Sequence, residues 1–365
     1  MAIRTYKFKL EPTAEQQKKI IETLSLCRWL YNTCLEQRIY EYKTHKRAIS
    51  YYTQKKELPL LKKELPNFKT IHSQVLQNVL ERLDKSYQAF FKRLNKGEKA
   101  GFPRFQGKNR FHSFTYNQSG FKLNGKSLSL SKIGEVRVKC HRQIKGKIKT
   151  CTIVHKNGRF YVCFACEVPK SSHTSNTNKV VGVDVGVSHL AITSDGEFFE
   201  NPKHLRKAER RLKQWQRAVS KKKKGSNRRK KAVQILAKHH EHIANKRRDT
   251  AHKISRQLVT NYDFIVFEDL NIQGMVKNHH LAKSITDSAW RQLIHFTQYK
   301  AENAGKEVVC VNPYNTSQMC SNCGSIVKKT LAERLHQCSC GYTEQRDVNS
   351  AINILQLGLQ QKQTA

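Results

Sequence analysis

The chain opens on a pattern of strand type: in I-R-T-Y-K-F-K, residues 3 to 9, apolar and polar positions trade places as they do on a half-buried strand. Pro12-Thr13 then marks a helix start. Through Gln16 to Tyr40 the apolar residues Ile20, Ile21, Leu24, Cys27, Leu30, Tyr31 and Leu35 recur at helical spacing and predict a core-facing helix. A second amphipathic helix is expected from about Ile71 to Leu94, with Val75, Leu76, Val79, Leu80, Leu83 and Phe90 on its apolar face. Its polar face carries Ser73, Gln74 and Gln77. Glutamine can pair bidentately with adenine, so these are candidates for base contact, although a solvated face is the commoner use of such a pattern.

Lys96 to Arg110 breaks the periodicity with K-G-E-K-A-G-F-P-R-F-Q-G-K-N-R. Cations here, Arg104 among them, suit phosphates, while Phe102 and Phe105 can stack on bases or anchor the loop. Phe111 to Pro169 reads as short strands with turns at Asn124-Gly125, Lys145-Gly146 and Asn157-Gly158, the pattern of a small β-barrel. Cys163 and Cys166 fall three apart on one of these strands, point to opposite faces and are expected to pack rather than ligate. Ser171 to Asn178 is polar and aperiodic, a linker.

Beyond it, Val180 to Val187 reads V-V-G-V-D-V-G-V, a buried-strand pattern with Asp184 as its only ionisable residue. A hairpin through Asp195-Gly196 is expected next, then a basic helical region over 203 to 260 broken at 221 to 227. Tyr262 to Leu270 and Lys306 to Val311 predict two further buried strands, the first ending in Glu268. R-D-V-N-S-A-I-N-I-L, residues 346 to 355, places Asp347 in the first turn of a helix with Val348, Ala351, Ile352 and Leu355 as its apolar face. This order of strand, hairpin, helix, strand, helix, strand, helix is that of an RNase H-like fold.

Charge narrows the partner. Lys and Arg number 68 against 28 acidic residues, a net charge of +40, which points to a polyanion. A membrane surface is the rival, but there is no apolar run approaching 18 residues, no lipidation signal and no apolar signal core at the N-terminus, so a cytoplasmic protein is expected.

Two sets of residues carry chemistry. Asp184 alone could be a strand-end residue bonding its own turn. Together with Glu268 and Asp347 it suggests a different role, because phosphodiester hydrolysis builds charge on both the attacking and leaving oxygens and two Mg²⁺ ions can stabilise it. Carboxylates are suitable hard ligands, and Asp184 is expected to bridge the two ions. Gly182 and Gly186 are expected to leave space for metal, phosphate and a neighbouring backbone. The second set is Cys320, Cys323, Cys338 and Cys340, two knuckles each followed by glycine, which predicts one structural Zn²⁺ with no open coordination position.

G-V-D-V-G, F-E-D-L, N-T-S-Q-M-C-S-N-C-G and R-D-V-N-S-A-I-N-I, in this order, resemble the TnpB family, compact transposon-encoded relatives of type V CRISPR effectors. G-F-P-R-F, H-E-H-I-A-N-K-R-R-D-T-A-H-K and L-A-K-S-I-T-D-S-A-W extend the resemblance over nearly the whole chain. It implies an α+β multidomain protein: a wedge β-barrel (1–10 and 111–170) with an inserted helical recognition domain (11–110), a linker (171–178), a RuvC-like nuclease domain (179–312 and 342–356), a zinc ribbon (313–341) and a tail (357–365). It also implies Asp184, Glu268 and Asp347 as a RuvC triad binding magnesium, and Cys320, Cys323, Cys338 and Cys340 as zinc ligands. The implied activity is Mg²⁺-dependent, RNA-guided cleavage of double-stranded DNA beside a short target-adjacent motif, with one protein per guide RNA made from the transposon end, in a prokaryotic cytoplasm at the nucleoid.

Ser73, Gln74, Gln77, Tyr116 and Asn117 are candidates for reading the motif, and segment 277–287 resembles a lid over the site. Gln345 stands where the family often has another Asp, and the second cysteine pair is a short C-x-C. A non-cutting, RNA-guided repressor of the same family is the alternative function, disfavoured by the intact acids. A sugar-kinase-like or actin-like ATPase lacks its other phosphate loops here, and no distinctive Tyr or Ser nucleophile marks a transposase.

Overall fold

The computed structural model describes residues 2–108, 110–169, 177–330 and 333–364, so the expected linker lies almost wholly outside the described residues. The chain divides into two compact units, Met1–Lys170 and Ser171–Ala365.

The first unit begins with strand β1 (Ala2–Glu11), longer than its alternating pattern predicts. Helix α1 (Ala14–His45) starts at a capping box in which Thr13 and Gln16 satisfy each other's backbone N–H groups. Helix α2 (Tyr51–Glu64) was not legible: Pro59 lies inside it and only Gln54 and Leu58 are buried, so no apolar stripe marks it. After a 3₁₀ turn at Pro66–Thr70 comes α3 (Ser73–Asn95), which buries Val75, Leu76, Val79, Leu80 and Leu83 as expected.

Six strands follow: β2 (Ser113–Tyr116), β3 (Phe121–Asn124), β4 (Ser127–Leu130), β5 (Gly134–Lys139), β6 (Lys147–Lys156) and β7 (Arg159–Val168). With β1 they form a seven-stranded sheet in the order β2-β6-β7-β1-β5-β4-β3, with every neighbouring pair antiparallel. Its two edge strands are consecutive in sequence. Laid flat, six strand spacings would separate them by about 29 Å, whereas the short link from Tyr116 to Phe121 reaches at most ~18 Å. The sheet therefore curls toward closure. No β2–β3 ladder closes the seam among the described residues; Tyr116 and Phe121 instead approach there, ring centroids 6.5 Å apart.

In the second unit β8 (Val180–Asp184) is followed by the expected hairpin, β9 (His189–Thr193) and β10 (Phe198–Glu200). The basic region forms α4 (His204–Ser220) and α5 (Asn227–Asn261). Next come β11 (Phe264–Glu268), α6 (Ile272–Met275), α7 (His279–Ser288), α8 (Trp290–Ala304), β12 (Glu307–Val311), the short β13 (Leu335–Gln337) and β14 (Thr343–Gln345), and α9 (Arg346–Gln363). Residues expected as a tail thus extend α9. The main sheet runs β10-β9-β8-β11-β12, with β8, β11 and β12 parallel and β9 antiparallel to β8. The element order is the one expected for an RNase H-like fold. Among the described residues no helix is long and apolar enough to cross a membrane.

Candidate active site and metal centre

Val180 to Val183 stand opposite Phe264 to Phe267 in the parallel β8–β11 pair, and one further step of that register sets Asp184 beside Glu268. Side chains alternate faces along a strand. Val181, Val183, Ile265 and Phe267 accordingly pack with Ala251 and Leu258 of α5 and Leu293 and Ala301 of α8. Phe264 and Val266 face the other way and pack with Ile354 of α9. Gly182, Asp184 and Glu268 belong to this second face.

The helix lies directly on it. A Cβ on Gly182 would stand 2.0 Å from the Ala351 carbonyl oxygen, and one on Gly358 would stand 2.4 Å from Val266 Cγ2. Gly182 therefore makes room for the backbone of α9, not for metal or phosphate, which narrows the role expected for it. At Gly186 a Cβ would come within 3.1 Å of the His189 carbonyl. The Gly186 carbonyl itself accepts a bond of 3.0 Å from Trp290 Nε1. With α9 seated this way, Asp347 in its first turn joins the other two acids, and Asp184 feels the charge of both.

The electrostatics of the three differ. Asp184 keeps some solvent contact but is closely enclosed; burial first, then the charges of Glu268 and Asp347, push its pKa well above the ordinary carboxylate range, while Arg346 pulls it down. Glu268 is 7% exposed. Burial raises its pKa too, opposed by the Thr316 hydroxyl, which donates to Oε1. Asp347 Oδ1 accepts from Arg346 Nε at 3.0 Å and pairs with Arg346 Nη2 at 2.9 Å. Its Oδ2 lies 3.6 Å from Arg334 Nη1. Gln345, the departure from the family pattern, caps α9 by accepting from the backbone N–H of Asp347 at 2.8 Å and of Val348 at 2.9 Å.

The four cysteines form a tighter set, with ligand atoms all within 4.8 Å of one another, the only such group of His, Cys, Asp and Glu among the described residues. Cys320 Sγ and Cys340 Sγ are 3.8 Å apart and Cys323 Sγ and Cys338 Sγ 3.5 Å. Each knuckle turns through a left-handed glycine, Gly324 at φ 78° and Gly341 at φ 86°. Hydrogen bonds from Ser325, followed by those of the neighbouring thiols, hold the Cys323 thiol down to about 6, so a thiolate is available to a cation.

Pattern reading missed three residues here. Thr316 is buried beneath Glu268, and Asn349 and Asn353 of α9 are fully buried. Both asparagines donate to the Met319 carbonyl, at 2.8 and 2.7 Å, next to the first cysteine. Asparagines on the buried side of an apolar helix are the signal that could have found them.

The candidates for base contact fare differently. Tyr116 is only 2% exposed, and its hydroxyl is spent on the Ser131 carbonyl at 2.9 Å; it is a core residue, and the expectation of motif reading is corrected. Gln74 Oε1 accepts from the backbone N–H groups of Gln118 and Ser119 at 2.9 and 2.8 Å, holding the turn after β2. Asn117 bonds Asn78 at 3.2 Å and Glu81 at 3.3 Å. Ser73 is exposed beside Lys62, 2.8 Å away; Gln77 is half-buried and Arg104 exposed. All of these belong to the first unit. The expected lid forms α7, docked through Asp287, which accepts from Leu205 N at 2.9 Å and Arg247 Nε at 2.8 Å.

Comparison with known proteins gives concordant results. A family model described as a probable transposase matches residues 163–279, and a Cas12f1-like TNB domain matches 290–354. A model described as a helix-turn-helix domain matches 1–47, residues that here form β1 and the single helix α1. The fold resembles those of the mini-RNA-guided endonuclease CRISPR-Cas_phi3, at TM-score 0.52 and 10% identity over 98% of this chain and 92% of that one, and of CasPhi-2 (Cas12j) bound to crRNA, at 0.50 and 10% over 98% of each. A Streptomyces pristinaespiralis protein provisionally named as an RNA-guided DNA endonuclease is 34% identical over 98% of this chain and 89% of its own length. The similarly named InsQ of Escherichia coli (strain K12) is 32% identical over 98% and 92%. With about a third of its residues shared across nearly the full length of such relatives, the chain belongs to the TnpB family.

Proposed function

We propose that the protein is a transposon-encoded, RNA-guided DNA endonuclease that cuts double-stranded DNA beside a short target-adjacent motif, with Asp184, Glu268 and Asp347 as its catalytic carboxylates. The observation that carries this reading is the meeting of these three acids, from two parallel strands and one helix, in a chain whose relatives over nearly its whole length are provisionally named as RNA-guided DNA endonucleases. The donor set fits Mg²⁺: all ligands are hard carboxylate oxygens, and the raised pKa of Asp184 marks a site short of positive charge that Arg346 only partly supplies. Bound there, Mg²⁺ would stabilise the charge that develops on the attacking and leaving oxygens of the phosphodiester.

The remaining work falls to the protein. β8 and β11 hold Asp184 and Glu268 side by side, and the Gln345 cap fixes the turn that presents Asp347. Arg346 and Arg334 limit the repulsion among the acids when no cation is present. The four cysteines fit one Zn²⁺ with every position filled by sulfur, so this centre would be structural and would hold a small ribbon around β13 and β14. The curled sheet of the first unit suits the wedge and helices α1 to α3 the recognition lobe, while the +40 charge suits the backbones of a guide RNA and its heteroduplex.

The test uses the protein purified with RNA transcribed from the end of its own element, given plasmids with matched and mismatched targets. Linearisation of the matched plasmid alone, and only with Mg²⁺, is expected. Guided binding without any cutting would favour the repressor reading instead.

A further inference from the structure

The loop between β12 and the first cysteine pair passes beneath Glu268. Thr316 in that loop is 3% exposed. Its hydroxyl donates to Glu268 Oε1 and also lies 3.2 Å from the Pro313 carbonyl. Oε2 of Glu268 takes no hydrogen bond from the described residues, so the carboxylate has one oxygen committed to protein and one left over.

The backbone of this loop is clamped to the helix that carries Asp347. Asn353 Nδ2 donates to the carbonyls of Thr316 at 2.8 Å and Met319 at 2.7 Å. Asn349 Nδ2 donates to Met319 O at 2.8 Å, and its Oδ1 accepts from Ser321 N at 3.0 Å. The buried Oδ1 of Asn353 has no hydrogen-bond partner among the described residues. Leaving a buried amide oxygen unsatisfied is costly, and here it accompanies two donations to one loop. Asn353 thereby holds both Thr316 and Met319, while Asn349 holds Met319 and Ser321 on either side of Cys320.

We propose that Thr316 is a positioning residue for Glu268: it commits Oε1, leaves Oε2 for the catalytic cation, and is itself held in place by the cysteine cluster through Met319, Ser321, Asn349 and Asn353. The inference rests on the reading of Glu268 as a metal ligand. It makes the cysteine centre part of the active-site framework, since a shift of the knuckle moves the residue that orients a ligand. Partners of this kind tune metal affinity and are felt when removed.

The experiment is a Mn²⁺ titration followed by electron paramagnetic resonance, on guide-loaded protein that retains its zinc. Thr316→Val keeps the shape and removes the hydroxyl; it is expected to weaken Mn²⁺ binding about ten- to hundredfold and to raise the cation concentration for half-maximal cleavage in parallel. Thr316→Ser restores the hydroxyl and is expected to recover most of the affinity. Zinc content, melting temperature and RNA binding are expected to hold in both. Wild-type Mn²⁺ affinity in the valine variant overturns the proposal, as does a folded serine variant as weak as valine.

Should valine disturb folding, Thr316→Ala is read in the same titration. Normal binding by the folded alanine variant overturns the proposal equally. The two readings separate cleanly. Wild-type protein that binds Mn²⁺ but cuts nothing removes the nuclease function, whereas cutting that ignores Thr316 removes only this inference.

Discussion

At the cysteine cluster four ligand atoms come from one short stretch, Cys320 to Cys340, and stand within 4.8 Å of one another. The carboxylates are gathered instead from the first strand of the second unit, its fourth strand and its last helix. They form a looser group, in which two arginines approach Asp347 and charge repulsion burdens Asp184. A close set of four sulfurs suits a resident ion that holds shape. A looser, mutually repelling set of oxygens suits an ion that must share its coordination with a substrate. The difference teaches that the first site is written locally, while the second exists only once β8, β11 and α9 have packed.

The sharpest way to break this contrast is to remove a ligand from each site. Asp184→Asn and Asp347→Asn are each expected to lower guided plasmid cleavage by about a thousandfold or more with RNA binding and zinc content unchanged. In metal-free protein Asp184→Asn should also melt higher at neutral pH. A carboxylate whose folded pKa is raised loses stability as pH climbs from its unfolded value through the folded one, and asparagine abolishes that loss. A lower melting temperature would contradict this account of the charge.

Cys338→Ser is the opposite case. It should release zinc and lower the melting temperature first, and reduce cleavage by about tenfold through the displaced Thr316 loop. Zinc retained at one per chain would remove the cysteine centre from the account. Gly182→Ala acts on the seat of α9, since its methyl group would meet the Ala351 carbonyl at 2.0 Å. By lifting α9 from β8 it should cost about 1–3 kcal/mol and weaken cleavage with it, because Asp347 rides on that helix. Denaturant melts alongside cleavage rates check both parts. The smallest effect is expected in the first unit, where Gln74→Ala should lose about 1 kcal/mol by freeing the turn at Gln118 and Ser119, and leave metal dependence untouched.

Much of this architecture was legible in the residues, and the limits follow the same contrast. The knuckles declare themselves because ligand spacing and the glycines are local. The β8 and β11 strands read as buried β-branched runs, and Asp184 and Glu268 stood out as acids within or at the end of them. What no periodicity revealed was the register that sets these two side by side, or that Gly182 serves the backbone of α9. Helix α2 escaped because Pro59 interrupts a segment that buries only two residues. Tyr116 misled for a related reason: a tyrosine beside a basic loop looks the same in sequence whether its hydroxyl meets a base or, as here, a backbone carbonyl.

The central claim is that the three carboxylates together hold a catalytic cation and the cysteines a different, permanent one. Anomalous diffraction from crystals grown with Mn²⁺, recorded at the manganese and zinc edges, tests it most directly. The account predicts manganese roughly 2 Å from carboxylate oxygens of Asp184, Glu268 and Asp347, and zinc alone among the four sulfurs. Manganese bound elsewhere, with Asp347 still paired to Arg346 and Oε2 of Glu268 untouched, would contradict it.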